Sequence, residues 1–226
     1  MIAFLTGIIR IGLVEVFGKT LPVLTISYNI TMSIINPIRL LISHQTDLPL
    51  TLSAPPKYEN VTSRDFSYVL EGTIKGVGQF FFCTNYTGSF IIVFSILLCR
   101  RLDGLGALLG SFVAAFTAMY ILLIPLEDVP NLREGLWSYN GSGCGVVFFS
   151  GCFSRRTKYN AVYGLLAGAA TALTEAFLRN LMGPDPVLTL PFVMTTWVFL
   201  LARFASEEGT TGRKGNSVYG MSLLKH

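Results

Sequence analysis

Long apolar stretches are the feature of this sequence that most restricts its fold. Hydrophobic residues make up 51% of the 226 residues and charged residues 13%, whereas an ordinary soluble domain has about 25% charged residues. Because a helix needs about 20 apolar residues to cross a bilayer, some of these stretches are candidate membrane spans and others are too short for a full crossing. They cover residues 2–17, 21–42, 69–83, 89–98, 105–124, 135–153, 161–178 and 187–204.

The short and glycine-rich stretches predict helices that cross only part of a bilayer. Non-helical backbone at membrane depth must lie inside protein or line a cavity, and in transporters such interrupted spans border a polar pathway. The segment GLWSYNGSGCGVVFF (135–149) is the clearest candidate. Glycines at four-residue spacing, Gly106 with Gly110 and Gly164 with Gly168, predict closely packed helices.

A segment between the second and third stretches, rich in Pro, Ser, Thr and charge, predicts a boundary between two units. Its Asn60 begins an Asn-Val-Thr sequon, so we expect this segment to be extracellular and to be glycosylated at Asn60. Further sequons at Asn29, Asn85 and Asn140 lie in or near apolar stretches, and we interpret most of them as chance matches. Residues 205–226 are polar and are predicted to form a disordered cytoplasmic tail.

Two segments far apart in the chain resemble each other and predict an internal repeat. LPVLTISY (21–28) resembles DPVLTLPF (185–192), and each copy places a threonine, Thr25 or Thr189, three residues after a proline. A threonine hydroxyl on a helix can bond back to a carbonyl of its own helix. Outside a repeat that would be the default role for either residue.

Each copy of the repeat also has an acidic residue upstream. Glu15 precedes Lys19, and Glu175 precedes Arg179, by four residues in both cases. This is the favourable order for an ion pair along a helix, so we predict structural ion pairs. A proton relay is the alternative, since acids within membrane helices are functional candidates.

The sequence contains none of the motifs that mark common enzyme classes: it lacks a Walker loop, HExxH, GxSxG and paired carboxylates in a polar span. Histidines and cysteines do not fall at metal-ligand spacing. Cations lie at the ends of apolar stretches rather than along one polar face. We therefore expect a protein that is not an enzyme and that needs no metal, cofactor or nucleic-acid partner.

Four strings in order carry a family resemblance: GVGQFFFCTNYTG (76–88), GLGALLGSFVAAFTAMYILL (104–123), EGLWSYNGSGCGVVF (134–148) and DPVLTLPF (185–192). Together they resemble the second half of a urea transporter. The resemblance implies an all-α, polytopic membrane protein with the urea transporter-like inverted-repeat helical fold, truncated at the N-terminus.

The resemblance also implies a division of the chain into four parts. Residues 1–43 correspond to the C-terminal part of a first urea transporter repeat, and residues 44–68 to the extracellular loop between repeats. Residues 69–204 correspond to a complete second repeat, and residues 205–226 to the cytoplasmic tail.

The resemblance further implies which side chains line a pore. Gln79 hydrogen-bonds the solute and Phe82, three residues on and therefore on the same helical face, forms one wall of an aromatic slot opposite Tyr139. Thr25 and Thr189 place their hydroxyls at the narrow midpoint. On periodicity alone, Gln79 is better explained as a helix–helix hydrogen bond, and the aromatic rings as facing lipid or core.

The implied function is passive, channel-type transport of urea across the plasma membrane by a multi-pass protein. It would act in the lipid bilayer as a homotrimer or in association with a longer homologue. The alternatives are a related channel for small amides or ammonia, and a truncated, non-conducting subunit that modulates a full-length partner. Tyr28 and Gly143 depart from the family pattern. Gly143 replaces a leucine that narrows the middle of the pore, which predicts a wider or differently selective channel.

Overall fold

The computed structural model describes residues 2–17, 25–32, 35, 63–150, 159–182 and 187–211, and these residues form helices and turns without a strand. This confirms the all-helical class. Asn60 and Lys19 lie outside the described residues. The helices are α1 (Ile2–Phe17), α2 (26–32), α3 (Phe66–Phe80), α4 (Tyr86–Cys99), α5 (Arg101–Phe116), α6 (Val129–Arg133), α7 (Tyr139–Ser150), α8 (Asn160–Met182) and α9 (Leu190–Thr211).

Two helical segments in the described part of the chain are long and apolar enough to cross a bilayer. One is α5 together with the π-helical turn Thr117–Ile121 that continues it, and the other is α8. Helix α4 and the first part of α9, Leu190–Ala202, are apolar but shorter. The predicted mixture of full-length and short apolar helices is therefore present.

The ends of three helices show how the sequence sets their length. Asp65 accepts a hydrogen bond from the backbone N–H of Ser67, so α3 begins at Phe66, inside the predicted inter-repeat loop. The side chain of Asn85 caps α4 in the same way. Helix α9 continues to Thr211, so the prediction that the disordered tail begins at residue 205 is wrong for its first seven residues.

Helices α5, α7 and α8 cross where their glycines meet. A Cβ on Gly106 would lie 2.6 Å from the carbonyl oxygen of Gly145, and one on Gly110 would lie 3.0 Å from its Cα. A Cβ on Gly168 would lie 2.9 Å from the Gly110 carbonyl oxygen, and one on Gly164 would lie 2.8 Å from an aromatic ring of α7. The predicted packing role of these small residues is confirmed, because any side chain would separate the helices.

Two buried apolar clusters meet near the start of helix α7. The first joins α3, α5 and α6 and includes Leu132, Met119 and Trp137. The second joins α7, α8 and α9 and includes Phe148 and Phe192. The chain passes from one cluster to the other through residues 134–138, called here the α6–α7 turn. Polar side chains at the start of α7 are therefore enclosed by apolar surroundings.

Candidate functional site

The two repeated segments meet through one side chain. Thr25 and Thr189 each lie in a turn immediately before a helix, α2 and α9 respectively. Oδ1 of Asn29 accepts hydrogen bonds from the backbone N–H and from Oγ1 of Thr189, both at 3.2 Å. Nδ2 of Asn29 donates to the backbone carbonyl of Thr25 at 3.3 Å. The structure thus links the two predicted threonines, and Asn29 is the link.

The two threonine hydroxyls have different surroundings. Oγ1 of Thr189 bonds Asn29 rather than a carbonyl of its own helix. Oγ1 of Thr25 is buried and has no hydrogen-bond partner among the described residues. A helical threonine often donates its hydroxyl to a carbonyl of its own helix. Within the described part of the chain, neither of these two hydroxyls makes such a bond.

Tyr139 joins this cluster from helix α7. Its hydroxyl donates to the backbone carbonyl of Leu188, the residue before Thr189. Nδ2 of Asn140 donates to the same carbonyl at 3.2 Å. Leu188 has φ +51°, a conformation that a leucine rarely adopts. The two donors to its carbonyl help to hold it there, so the start of α7 fixes the start of α9.

Behind Asn140 lies a buried ion pair. Glu175, 2% exposed, contacts Arg179 at 2.9 Å and accepts a hydrogen bond from Nδ2 of Asn140 at 3.2 Å. The guanidinium of Arg179 lies 4.5 Å from the ring centroid of Trp137. The predicted pairing of Glu175 with Arg179 is confirmed. The equivalent pairing of Glu15 stays a prediction, since the side chains involved lie outside the described part.

Asn140 itself keeps one acceptor without a donor. Its side chain is fully buried, both of the hydrogen bonds above use Nδ2, and Oδ1 has no partner among the described residues. A buried polar atom without a hydrogen bond costs roughly 1 to 3 kcal/mol. Oδ1 of Asn140 and Oγ1 of Thr25 are therefore two buried polar oxygens whose hydrogen-bonding capacity is not used within the described part of the chain.

Gln79 and Phe82 do not share a helical face. Helix α3 ends at Phe80, and Phe82 lies in the following turn with φ +60°. The prediction of a common face is wrong because the helix stops before it reaches Phe82. Nε2 of Gln79 donates to the backbone carbonyl of Glu134 at 3.3 Å. The ring of Phe82, 79% exposed, makes an edge contact with Tyr28 at 6.2 Å between centroids.

Tyr28 is therefore an aromatic partner of Phe82 that the sequence did not suggest. The pairing of Phe82 with Tyr139 across a slot stays a prediction. Glycosylation at Asn60 also stays a prediction, since this residue lies outside the described part of the chain.

Aromatic rings fill the space beside Gly143. A Cβ on Gly143 would lie 2.7 Å from the ring of Phe80 and 2.9 Å from the ring of Phe192. These two rings meet edge to face with centroids 5.7 Å apart. The glycine alone therefore does not imply a wider passage here, because phenylalanine rings occupy the volume that a side chain at position 143 would take.

Sequence reasoning missed the role of two asparagines in this cluster. Asn29 and Asn140 were noted only as the first residues of sequons, yet they are 5% and 0% exposed and their side chains hold the site together. A signal was present, since Asn29 follows LPVLTISY directly and Asn140 follows Tyr139. A buried asparagine needs hydrogen-bond partners, which makes such positions candidates for polar clusters.

Fold and site together define an α-helical protein that carries membrane-length apolar helices and a buried polar cluster between two related segments. Comparison with known families gives the particular class. The urea transporter family model matches residues 1–204. This chain belongs to the urea transporter family, whose members are membrane transport proteins rather than enzymes.

Curated relatives agree with the family match. Urea transporter 1 of Ovis aries is 30% identical over 217 residues, which cover 91% of this chain and 50% of the relative. Urea transporter 1 of Mus musculus is 31% identical over 209 residues, again with 91% and 50% covered. The chain spans about half the length of the curated relatives it matches.

Proposed function

We propose that this chain forms a passive, channel-type pathway for urea across the plasma membrane. The observation that carries the proposal is the pair of buried acceptors, Thr25 Oγ1 and Asn140 Oδ1, in a polar cluster that joins the two repeated segments. Transferring an amide out of water without replacement hydrogen bonds costs roughly 2 to 7 kcal/mol. Acceptors that are already desolvated and unfilled lower that cost for a molecule rich in N–H groups.

The electrostatics of the cluster favour a neutral solute. Its acidic group, Glu175, is paired with Arg179 at 2.9 Å, so the two charges cancel. An ion in the pathway would lose its hydration without meeting a net opposite charge. A neutral amide loses only hydrogen bonds, which neutral oxygens can replace. The family match supports the same solute.

Each predicted pore residue has a role in this proposal. Thr25 and Thr189 line the narrow midpoint, where Asn29 holds them together. Gln79 presents its amide oxygen to the solute, and Phe82 provides an apolar wall. Tyr139 provides the opposing aromatic wall of the slot, and its hydroxyl also fixes the start of α9 through Leu188. We further propose a multi-pass protein in a homotrimer or in association with a longer homologue, glycosylated at Asn60.

Flux measurements on purified protein in lipid vesicles test the proposal. Vesicles with this chain should take up urea faster than empty vesicles, measured by stopped-flow light scattering as the rate at which vesicles reswell after mixing with a hyperosmotic urea solution. Uptake equal to that of empty vesicles would contradict the proposal. If the chain instead changed the urea uptake of vesicles that contain a longer homologue, compared with vesicles that contain the homologue alone, the modulating-subunit alternative would replace it.

Thr189→Val should lower urea flux about fivefold, because it removes a hydroxyl worth about 1 kcal/mol while keeping the side-chain shape. Thr174→Val is the matched control. The Thr174 hydroxyl donates to the Ala170 carbonyl of its own helix and also contacts Thr195, on the α8–α9 interface rather than in the cluster. Its flux should remain that of the unchanged protein. Equal flux in both variants would remove Thr189 from the pathway.

A further inference from the structure

The α6–α7 turn lies directly on helix α3. Gly135 has φ +86°, and a Cβ there would lie 2.7 Å from the carbonyl carbon of Lys75. Oγ of Ser138 donates to the Gly72 carbonyl at 2.7 Å. Because glycine alone adopts this φ readily and leaves room for this contact, the turn meets α3 backbone to backbone. Glu134, its first residue, is thereby placed beside α3.

A largely buried lysine connects α3 to this turn. The side chain of Lys75 is 10% exposed, and its Nζ lies 3.0 Å from Oε1 of Glu134 and 3.1 Å from Oε1 of Glu71. Glu71 also contacts Arg133 on the more exposed side of the network. Two cations therefore face two carboxylates. Lys75, the cation that contacts Glu134 of the turn, is more buried than Arg133. A buried lysine needs such partners.

Glu134 is held at two points by residues four positions apart on α3. Its carboxylate pairs with Lys75, and its backbone carbonyl accepts the hydrogen bond from Nε2 of Gln79. Residues four apart lie on one face of a helix, so both contacts come from the same side. The bond from Nε2 fixes the orientation of the Gln79 amide. Its oxygen, Oε1, has no donor among the described residues.

We propose that Lys75 is a positioning residue for solute binding: its ion pair with Glu134 holds the carbonyl that orients Gln79, so that Oε1 faces the solute. This inference rests on the proposed function, in which Gln79 binds urea. Nothing in the motif around Gln79 requires a cation at position 75. The geometry supplies the connection, because one glutamate receives both side chains.

A double-substitution experiment on reconstituted protein tests this role. Lys75→Met should raise the urea concentration for half-maximal flux about fivefold, the value of one well-placed hydrogen bond, and leave the maximal flux near its original value. Lys75→Arg keeps the cation and should restore the original value. If Lys75 acts through Gln79, Lys75→Met should add nothing to Gln79→Ala, since residues in one chain of contacts are not additive. Additive effects, or an unchanged half-maximal concentration in Lys75→Met, would overturn the inference.

Arg100→Gln is the control, since it removes a cation whose ion-pair partner is Asp103, outside the network of Lys75 and Glu134. It should leave the half-maximal concentration unchanged. Hydrogen exchange separates this inference from the proposed function. In Lys75→Met, amides of the α6–α7 turn should exchange roughly fivefold faster, and in Arg100→Gln at the original rate. If the unchanged protein carried no urea, the proposed function would fail, and equal exchange in Lys75→Met would independently overturn the role of Lys75.

Discussion

Gly145→Val should strongly lower the thermal stability of the protein. A Cβ at position 145 would collide with the backbone carbonyl of Gly106 and lie 3.2 Å from the Cα of Gly110. Both neighbours are backbone atoms, so neither can move aside without separating α5 from α7. Overpacking of a tight contact costs 1 to 3 kcal/mol in ordinary cores and more where backbone must shift. We expect a loss of about 3 kcal/mol or more.

Gly12→Ala provides the matched control for this substitution. Gly12 lies in helix α1, and a Cβ there would meet no atom of the described residues within 4 Å. Alanine favours a helix over glycine by about 1 kcal/mol, so this variant should be as stable as the original protein or slightly more. Thermal loss of the monodisperse size-exclusion peak in detergent measures both variants. Similar midpoints for the two would show that α5 and α7 do not meet as described.

Glu175→Ala should destabilise the protein by about 3 kcal/mol. The carboxylate is 2% exposed, and its removal takes away the partner of Arg179 and one acceptor of Asn140. Deleting one member of a fully buried ion pair costs about 3 to 5 kcal/mol, because the other charge is left without compensation. Since Arg179 is 31% exposed, the cost here should lie at the low end of that range. The same thermal assay should show a large drop in midpoint.

Two further variants distinguish the effect of breaking the ion pair from the effect of removing an acidic residue in general. Glu127 is exposed, so Glu127→Ala should change stability by no more than about 0.5 kcal/mol. Replacing Glu175 and Arg179 together with leucine should recover much of the lost stability, since apolar residues of similar volume can replace a buried pair. The ion-pair account fails if Glu175→Ala is no more harmful than Glu127→Ala, or if the double leucine variant is no better than Glu175→Ala.

Local patterns in the sequence predicted the parts of the fold that depend on local chemistry. Glycine spacing predicted the contact of α5 with its neighbours, because small residues allow close approach wherever the partner lies. The order of Glu175 and Arg179 predicted their ion pair, because both residues lie on one helix. The resemblance between the segments around Thr25 and Thr189 predicted an internal repeat, and in the structure both threonines lie in turns directly before helices.

The features of the site that the sequence did not predict depend on turns in the backbone and on contacts between distant parts of the chain. Phe82 was expected on the face of Gln79, and the left-handed turn after Phe80 moves it off that face. No periodic pattern marks such a turn. The roles of Asn29 and Asn140 depend on hydrogen-bond partners far along the chain. The pattern of hydrophobic and polar residues does not specify such partners. Sequon matching identified these asparagines for a reason unrelated to their packing.

The hydrogen bonds from Thr189 to Asn29 join residues 160 positions apart. Synthesis of a chain proceeds from the N-terminus, so Asn29 is made long before Thr189. Contacts of such long range form late, after the loop between them has closed. The polar cluster between the two repeated segments can therefore be completed only when the start of α9 is in place. If this cluster lines the proposed urea pathway, a newly made chain has no finished pathway until that contact forms.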